Sequence, residues 1–319
     1  MIGKQEGGSL KGCLLNYFKQ RKVTVLALKV IKPKLIKLST NKGEVVAKQF
    51  TSLHRLLMQG EFLKRLRDGG FEGAYTFSEE FEPFTCNGRH IGFLEYIPSH
   101  SETFNYHTYR NRLEGLSLLK GMHKTSAKIH KEMNRTPASF SQIEKWRERL
   151  NEFSINARQF KKVIPDNILY QYIRMGEWSL EKLRGHELED GTEPIIIHGD
   201  VAHHNFLRRI DGKLILIDFD LMAKAPPIID DLQYANRLLA FNHFSLKEIL
   251  SFRYLKKYRD NPLFLAGLAF PTDIYREWNR VYRENLWNST MRLQSLWNLT
   301  VDDFQLRRQF IQDIQKLIE

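Results

Sequence analysis

Residues 198–220 read HGDVAHHNFLRRIDGKLILIDFD, and this segment is the most informative part of the sequence about the fold. The preceding run, residues 194–197, is apolar and rich in β-branched side chains, which predicts a short buried strand. The Asp-Gly pair at 211–212 is a two-residue turn of the kind that closes a β-hairpin. We therefore predict that Phe206 to Ile210 and Lys213 to Ile217 pair as antiparallel strands.

Polar side chains lie at the ends of these predicted strands. Asp200 follows the first strand in a loop that can expose it. The hairpin brings Asn205, which precedes it, beside Asp218, which follows it. One carboxylate that accepts a hydroxyl proton, with an amide and a second carboxylate that hold Mg²⁺, is what phosphoryl transfer from a metal-bound nucleotide requires. Each residue alone is a common turn former or helix cap, so only the combination indicates a site.

The pattern HGDxxxxN, followed by an apolar strand and Asp-Phe-Asp, resembles the protein-kinase-like phosphotransferases, which include aminoglycoside phosphotransferases and choline kinases. It resembles in particular the bacterial spore-coat proteins of the CotS type, in which Ile-Asp-Phe-Asp is followed by a proline and Asp-Leu. In this chain Ile217–Asp220 is followed by Pro226 and by Asp231-Leu232. The resemblance implies ATP and Mg²⁺ as cofactors. It also implies a bilobal α+β fold, with a small antiparallel-sheet nucleotide-binding lobe at 1–97 and a large, mostly helical catalytic and substrate lobe at 98–319.

The first hundred residues have the pattern that such an N-terminal lobe needs. Strands are predicted at Val23 to Val30, Leu35 to Leu38 and Glu44 to Phe50, with a hairpin signal before the third. A helix is predicted from a cap at Ser52 to about Arg67, because leucines recur at helical spacing between them. Two further extended segments are predicted, near Ala74 to Ser78 and at Arg89 to Tyr96.

Two charged residues of this region acquire roles through the resemblance. Lys48, on the third strand, matches the lysine that grips the nucleotide phosphates, and Glu61, on the helix, would pair with Lys48 and hold it there. The residues alone leave other readings open. Lys48 could stand on a strand face in water, and Glu61 could pair at the surface with Lys64 or Arg65.

Glu95, Tyr96 and Ile97 come at the end of the last strand and before Pro98. In the kinase-like fold this segment connects the lobes, and its backbone groups bind the edge of the adenine ring. We therefore take these three residues as the candidate hinge. An ordinary strand end marked by proline is the alternative.

The turn between the first two strands, Val30 to Lys34, departs from the kinase pattern because it contains no glycine. A glycine-rich loop lets backbone amides close over phosphates. Lys32 or Lys34 could supply side-chain charge in place of those amides. The departure is the main reason to keep a degenerate kinase fold as an alternative.

Three further residues of the motif have no assigned role. His203 and His204 lie in the catalytic loop and could contact substrate or face solvent. Asp220 could be a second contact to metal or substrate. Their chemistry is compatible with each of these uses.

Composition limits the remaining possibilities. The 319 residues are 42% hydrophobic, which is ample for sizeable cores, and no apolar run is long enough to cross a bilayer. Met1 to Lys11 contain no apolar signal segment, and Cys13 and Cys86 lack metal-ligand spacing, so we expect no disulfide and a reducing, cytoplasmic location. The net charge of +12 is dispersed along the chain rather than gathered in a nucleic-acid-binding arm.

We therefore consider three functions. The first is an ATP- and Mg²⁺-dependent phosphotransferase that acts on a hydroxyl group of a small molecule, with nucleotide and substrate as partners. The alternative is a kinase-fold structural component of the spore coat, with weak or no catalysis and spore-coat proteins as partners. A nucleic-acid-binding protein is third, since net charge is its only support.

Overall fold

The computed structural model describes residues 9–186, 188 and 191–319. Residues 1–8, on which most of the signal-segment expectation rests, lie outside the described residues. The described residues divide by their contacts into two compact units. Unit 1 comprises 9–105, 117–138 and 203–222, and unit 2 comprises 106–116, 139–202 and 223–319. The chain passes between the units several times, whereas the predicted functional division at residues 97 and 98 is a single cut and stays a prediction.

The α-helices of the described residues are α1 (Leu10–Gln20), α2 (Leu53–Asp68), α3 (Tyr109–Ile129), α4 (Gln142–Ile155), α5 (Ala157–Phe160), α6 (Asp166–Lys182), α7 (Ile228–Leu238), α8 (Leu246–Ser251), α9 (Pro262–Ala269), α10 (Thr272–Arg283), α11 (Thr290–Trp297) and α12 (Phe304–Ile318). The strands are β1 (Val25–Lys32), β2 (Leu35–Thr40), β3 (Gly43–Phe50), β4 (Phe84–Cys86), β5 (Arg89–Glu95), β6 (Ile195–Ile197), β7 (Phe206–Arg208), β8 (Leu214–Leu216) and β9 (Ala223–Ala225). None of the described helices is both long and apolar enough to cross a membrane.

Unit 1 is built on a five-stranded antiparallel sheet in the order β1-β2-β3-β5-β4. Alternate side chains of β2 are buried, including Ile36 and Leu38, and they meet Val45 and Ala47 of β3 in one core. This period of two is the pattern of strands that bury one face. The predicted antiparallel start of the chain is confirmed, and the strand bounds differ from the predicted ones by only a few residues.

Helix α1 completes the core on this face of the sheet, and the sequence analysis did not predict it. Leu14 and Phe18 are fully buried, and Phe18 packs its ring edge-on against Phe93 of β5. The packing brings Cys13 to Cys86 of β4, and the two form a disulfide with their Cα atoms 5.9 Å apart. The expectation of no disulfide is wrong, because a fold contact joins residues separated by 73 positions. The inference of a reducing compartment therefore loses its basis.

Helix α2 begins where predicted, and the Ser52 side chain caps it by accepting a hydrogen bond from the backbone N–H of Arg55 at 3.2 Å. One other local prediction is only partly right. The extended segment expected near residues 74–78 is reduced to two isolated pairings, Ala74 with Leu216 and Phe77 with Leu94.

Unit 2 is mostly helical, with an aromatic core. Trp146, Trp278, Tyr172 and Tyr275 are all fully buried. The short strand β6 is buried at every position, as its β-branched run predicts, and it pairs antiparallel with β9. An antiparallel sheet in the N-terminal part and a mostly helical C-terminal part confirm the predicted α+β class.

Candidate active site

The hairpin after the catalytic-loop motif lies in unit 1 and joins two predicted metal ligands. Strands β7 and β8 pair with Phe206 opposite Leu216, and they are shorter than predicted. The backbone N–H of Ile217 continues the ladder by donating to the carbonyl of Asn205 at 2.9 Å. Asn205 and Asp218 are therefore neighbours across the open end of the hairpin, as the sequence predicts.

Asp218 has a backbone conformation that few residues other than glycine adopt, with φ 65° and ψ 65°. Aspartate tolerates this left-handed region better than most side chains. The conformation ends the strand and begins the short turn Phe219–Leu221. Strained backbone of this kind is concentrated at functional sites. It is therefore consistent with a role for Asp218 that requires a fixed orientation of its carboxylate.

Lys48 is the centre of a charged cluster in unit 1. It lies on β3 with only 8% of its surface exposed. Its Nζ atom is 2.6 Å from Asp220 Oδ1 and 3.1 Å from Asp218 Oδ1. One ammonium group thus contacts two carboxylates that lie 170 or more residues along the chain, so strand β3 and the hairpin are fixed to each other.

The charge states of this cluster follow from its burial and its pairing. Burial acts to lower the pKa of Lys48, but Tyr75 and the carboxylates of Asp218 and Asp220 outweigh it, so the pKa is raised on balance. Burial acts in the opposite sense on Asp218, yet the charges of Lys48 and Lys32 hold its pKa below the ordinary value. Lys48 is therefore cationic and Asp218 anionic at neutral pH.

The cluster forms part of the wall of a cavity in unit 1 with a volume of about 670 Å³. Pockets that take small molecules have volumes of this order. Apolar side chains from the sheet and from the hairpin line it, together with the charged cluster. The lining includes every predicted nucleotide- or metal-binding position, namely Lys48, Glu95, Tyr96, Ile97, Asn205 and Asp218.

The candidate hinge runs along one side of this cavity. Glu95 is held in place, because its carboxylate accepts hydrogen bonds from Thr76 Oγ1 at 2.8 Å and from Arg67 at 3.1 Å. The Tyr96 ring lies under Lys37, whose Nζ is 3.5 Å from the ring centroid. Within the described part of the chain, the backbone N–H and C=O of Ile97 have no hydrogen-bond partner. They are available to the edge of a planar heterocycle.

The turn between β1 and β2 also lines the cavity, through Lys32, Pro33 and Lys34. It contributes cationic side chains where a glycine-rich loop would contribute backbone amides. The charge of Lys32 reaches the site, since it is one of the charges that lower the pKa of Asp218. The sequence of this turn allows such a substitution of charge for amides.

Glu61 does not pair with Lys48, so this part of the prediction is corrected. Its Oε1 atom instead accepts hydrogen bonds from the backbone and side-chain amides of Asn134, at 2.7 and 3.0 Å. The α2 residue that faces the Lys48 cluster is Gln59, whose Nε2 lies 3.4 Å from Asp220 Oδ1. Successive helix residues are rotated by about 100°, so two positions turn Glu61 to the far side of α2. No sequence signal marked Gln59, because its burial is visible only in the structure.

Asp200 lies in unit 2, on a loop that a buried acid holds in shape. Both carboxylate oxygens of Asp230 accept backbone N–H bonds at 2.9 Å, one from His198 and one from Gly199. The N–H of Asp200 then donates to His198 Nδ1 at 3.3 Å. The Asp200 side chain is 30% exposed, and its Oδ1 is 3.3 Å from Arg237. Sequence reasoning missed Asp230. Asp231, which the family pattern contains, instead accepts a hydrogen bond from the Tyr258 hydroxyl at 2.6 Å.

The donor set of unit 1 fits a magnesium ion that also binds phosphate. Asp218 supplies an ionised carboxylate, 39% exposed, and Asn205 can supply an amide oxygen on the same cavity wall. Oxygen ligands of this kind suit Mg²⁺, which keeps open positions for water and phosphate. The described residues contain no group of three or more His, Cys, Asp or Glu side chains that would hold a metal by itself.

Comparisons with known proteins concern the family and the fold. Residues 37–237 match a family model described as the phosphotransferase enzyme family. An aminoglycoside phosphotransferase from Alicyclobacillus acidocaldarius is similar in structure with a TM-score of 0.65 and 16% identity, over 92% of each chain. The AMP-bound complex of a spectinomycin phosphotransferase is similar with a TM-score of 0.57 and 13% identity, over 89% of this chain and 93% of that one.

A third structure, the GDP complex of an aminoglycoside 2'-phosphotransferase mutant, has a TM-score of 0.61 and 12% identity, over 91% of this chain and 96% of that one. A search of curated proteins found no match. At these identities the structural likeness shows the fold, which confirms the predicted kinase-like architecture.

Proposed function

The chain belongs to the phosphotransferase enzyme family, and we propose on that basis that it transfers the γ-phosphoryl group of ATP, with Mg²⁺, to a hydroxyl group of a small molecule. The observation that carries the proposal is the Lys48 cluster. A buried ammonium group and two carboxylates line a cavity of about 670 Å³ that also contains the candidate hinge. The binding of a nucleoside triphosphate requires these chemical features together.

The nucleotide would lie in this cavity with its base against the hinge. The free N–H and C=O of Ile97 would bind the edge of the base, and apolar side chains such as Val46 and Leu207 would cover its faces. Lys48 would contact the phosphates, and Lys32 and Lys34 would add positive charge where other kinases use glycine amides. When bound, Mg²⁺ would neutralise phosphate charge, and Asp218 and Asn205 are the residues that would hold it.

The acceptor would bind at Asp200. Its hydroxyl oxygen forms a bond to the γ-phosphorus while the bond from that phosphorus to the bridging oxygen of ADP breaks, and Asp200 takes the hydroxyl proton. Asp230 positions the loop through the two N–H groups it binds, and Arg237 orients the carboxylate of Asp200.

An ATP-turnover screen against a panel of hydroxyl compounds tests the proposal, with Asp200→Asn as the inactive control. We expect at least one compound to raise ADP formation in the presence of Mg²⁺. Turnover should fall about 10²- to 10⁴-fold in Asp200→Asn, as loss of a general base does in other enzymes. Equal turnover in the two proteins would contradict the role of Asp200.

A structural role in a spore coat, with weak or no catalysis, is a second proposal. It rests on the CotS-type resemblance, and the observation in its favour is the turn at Lys32-Pro33-Lys34, which has no glycine to close over phosphates. Titration with ATP and Mg²⁺ separates the two. A rise in melting temperature with turnover supports the enzyme, whereas a protein that neither binds nor consumes ATP supports the structural role.

A further inference from the structure

A cluster of cations surrounds Asp200 in unit 2. Lys145 and Arg149 lie one turn apart on α4 and so share a face of that helix. Arg237 comes from the end of α7, and Arg276 from the middle of α10. We call these four residues the Asp200 cation cluster.

Hydrogen bonds define the position of the cluster. Arg149 Nη1 donates to the hydroxyl of Thr272, the first residue of α10, at 2.7 Å. Arg276 lies one turn further along α10, which puts it on the same face as Thr272. Arg237 is 3.3 Å from Asp200, so a predicted catalytic carboxylate and four cations from three helices converge.

The cluster has more positive charge than the fold neutralises. Arg276 pairs with Glu277 at 2.9 Å, but the same carboxylate also pairs with Arg292 at 3.1 Å. Lys145 stands 5.0 Å from the ring centroid of Phe140, and neither it nor Arg149 forms an ion pair within the described part of the chain. Both side chains are half-buried.

Burial and the repulsion between these cations lower the pKa values of Arg149 and Lys145. Burial and the like charges of Arg276 and Arg237 lower the pKa of Arg149 to about 10. Burial and the charge of Arg149 likewise lower the pKa of Lys145. Two carboxylates, Asp200 and the Glu277 that Arg292 shares, form ion pairs with these four half-buried cations. The remaining excess of positive charge destabilises the protein, so ion pairing within the fold does not account for all four.

Arg307 in the same unit is an example of a buried arginine whose charge is neutralised by the fold. It is 3% exposed and forms two hydrogen bonds to the carboxylate of Asp273, at 3.0 and 2.8 Å. Burial acts to lower its pKa, but Asp273 outweighs burial and raises it. The buried Arg307 is thus neutralised by a carboxylate, whereas Arg149 forms no ion pair within the described part of the chain.

We propose that Lys145, Arg149 and Arg276 bind an anionic group of the acceptor, a carboxylate or a phosphate ester, while the acceptor hydroxyl faces Asp200. The substrate class is thus a hydroxyl-bearing anion rather than a polyamine, since a cationic acceptor would add like charge to a site that already carries an excess. Arginine and lysine beside one another provide the forked and the single donors that bind oxyanions. This inference rests on the proposed function for the identity of Asp200 as the acceptor end of the site.

Sulfate and succinate are suitable probes, because the first represents a phosphate group and the second a carboxylate. The full chain is saturated with a non-hydrolysable ATP analogue and Mg²⁺, and its melting temperature is recorded against each anion, with sodium chloride at equal ionic strength as reference. We expect a saturable rise with at least one anion, and the one that acts identifies the group. In Arg149→Gln and Lys145→Gln, affinity for that anion should fall about 10-fold or more, as loss of a charged hydrogen bond predicts.

Arg147→Gln is the matched control, since Arg147 lies on the same helix, is exposed and pairs with Glu144. It should bind the anion as the wild type does. Absence of a rise with either anion, or equal affinity in wild type and Arg149→Gln, would overturn the proposal. The ATP analogue is also titrated alone, and the anions are titrated again without nucleotide. These titrations test the proposed function and the anion-binding proposal separately. Failure of the ATP analogue alone to raise the melting temperature counts against the proposed function, while the anion titration still tests the cation cluster.

Discussion

The Lys48 cluster of unit 1 and the Asp200 cation cluster of unit 2 have opposite charge ratios. In the first, one lysine meets two carboxylates, and in the second, four cations have two paired carboxylates, Asp200 and a Glu277 that Arg292 shares. The first leaves negative charge that a metal ion can neutralise. The second leaves positive charge that only an anion can neutralise. The contrast is the basis of our proposals that unit 1 binds a metal-bound nucleotide and that unit 2 binds a negatively charged acceptor.

The largest effect should come from removing Asp200, the proposed proton acceptor beside the second cluster. In Asp200→Asn we expect kcat to fall about 10²- to 10⁴-fold, because the acceptor hydroxyl loses its proton acceptor. The affinity for ATP should stay unchanged, because Asp200 belongs to the other unit. Steady-state kinetics and an ATP binding titration measure the two quantities. Asp211→Asn, at the exposed hairpin turn, is the control for a general effect of the substitution.

The next effect should come from removing the single cation of the first cluster. In Lys48→Met we expect ATP to bind about 10-fold or more weakly, because a charged hydrogen-bond donor to the phosphates is lost. Calorimetric titration with ATP and Mg²⁺ measures this. Lys42→Met removes an exposed lysine that pairs with Glu80 and should bind ATP normally. Unchanged affinity in Lys48→Met would contradict the nucleotide assignment.

Acid titration should reveal how much the charge of Asp218 stabilises the fold through its ion pair with Lys48. Because the folded-state pKa of Asp218 lies below its ordinary value of 3.8, the stabilisation by its charge is present above that value and is lost as pH falls through the folded pKa. The melting temperature of wild type should exceed that of Asp218→Asn at pH 7, by about 1–3 °C for a side chain so exposed. The difference should begin to shrink as pH falls below about 4 and should disappear once pH is below the folded-state pKa. A difference that grows in acid would contradict the sign.

The smallest effect should be a gain in stability in the second cluster. Arg149→Gln removes one of four cations that repel each other, so the ligand-free protein should melt about 1–2 °C higher. Calorimetry on Arg149→Gln and on the Arg147→Gln control measures it. A lower melting temperature in Arg149→Gln alone would mean that its hydrogen bond to Thr272 outweighs the repulsion.

Sequence reasoning succeeded where the contacts are local. The hairpin that brings Asn205 to Asp218, the cap at Ser52 and the buried strand β6 depend on residues close in the chain, so their patterns were sufficient. It failed where a choice depended on a distant partner. The face of α2 that meets Lys48 carries Gln59 rather than Glu61, and this depends on packing that helical spacing alone does not determine.

The same limit explains the other omissions. Asp230 holds the Asp200 loop from more than thirty positions away, and the cysteines pair across 73 positions. The excess of positive charge near Asp200 was invisible in a net charge of +12 that is dispersed along the chain. Only the convergence of α4, α7 and α10 makes it a cluster.

A crossed titration tests the contrast between the two clusters most directly. Wild type, Lys48→Met and Arg149→Gln are each titrated with ATP plus Mg²⁺ and, separately, with sulfate and succinate, and the melting temperature is recorded. We expect Lys48→Met to lose only the response to nucleotide and Arg149→Gln to lose only the response to the anion. A variant that lost both responses, or that kept both, would contradict the existence of two sites with opposite charge preference.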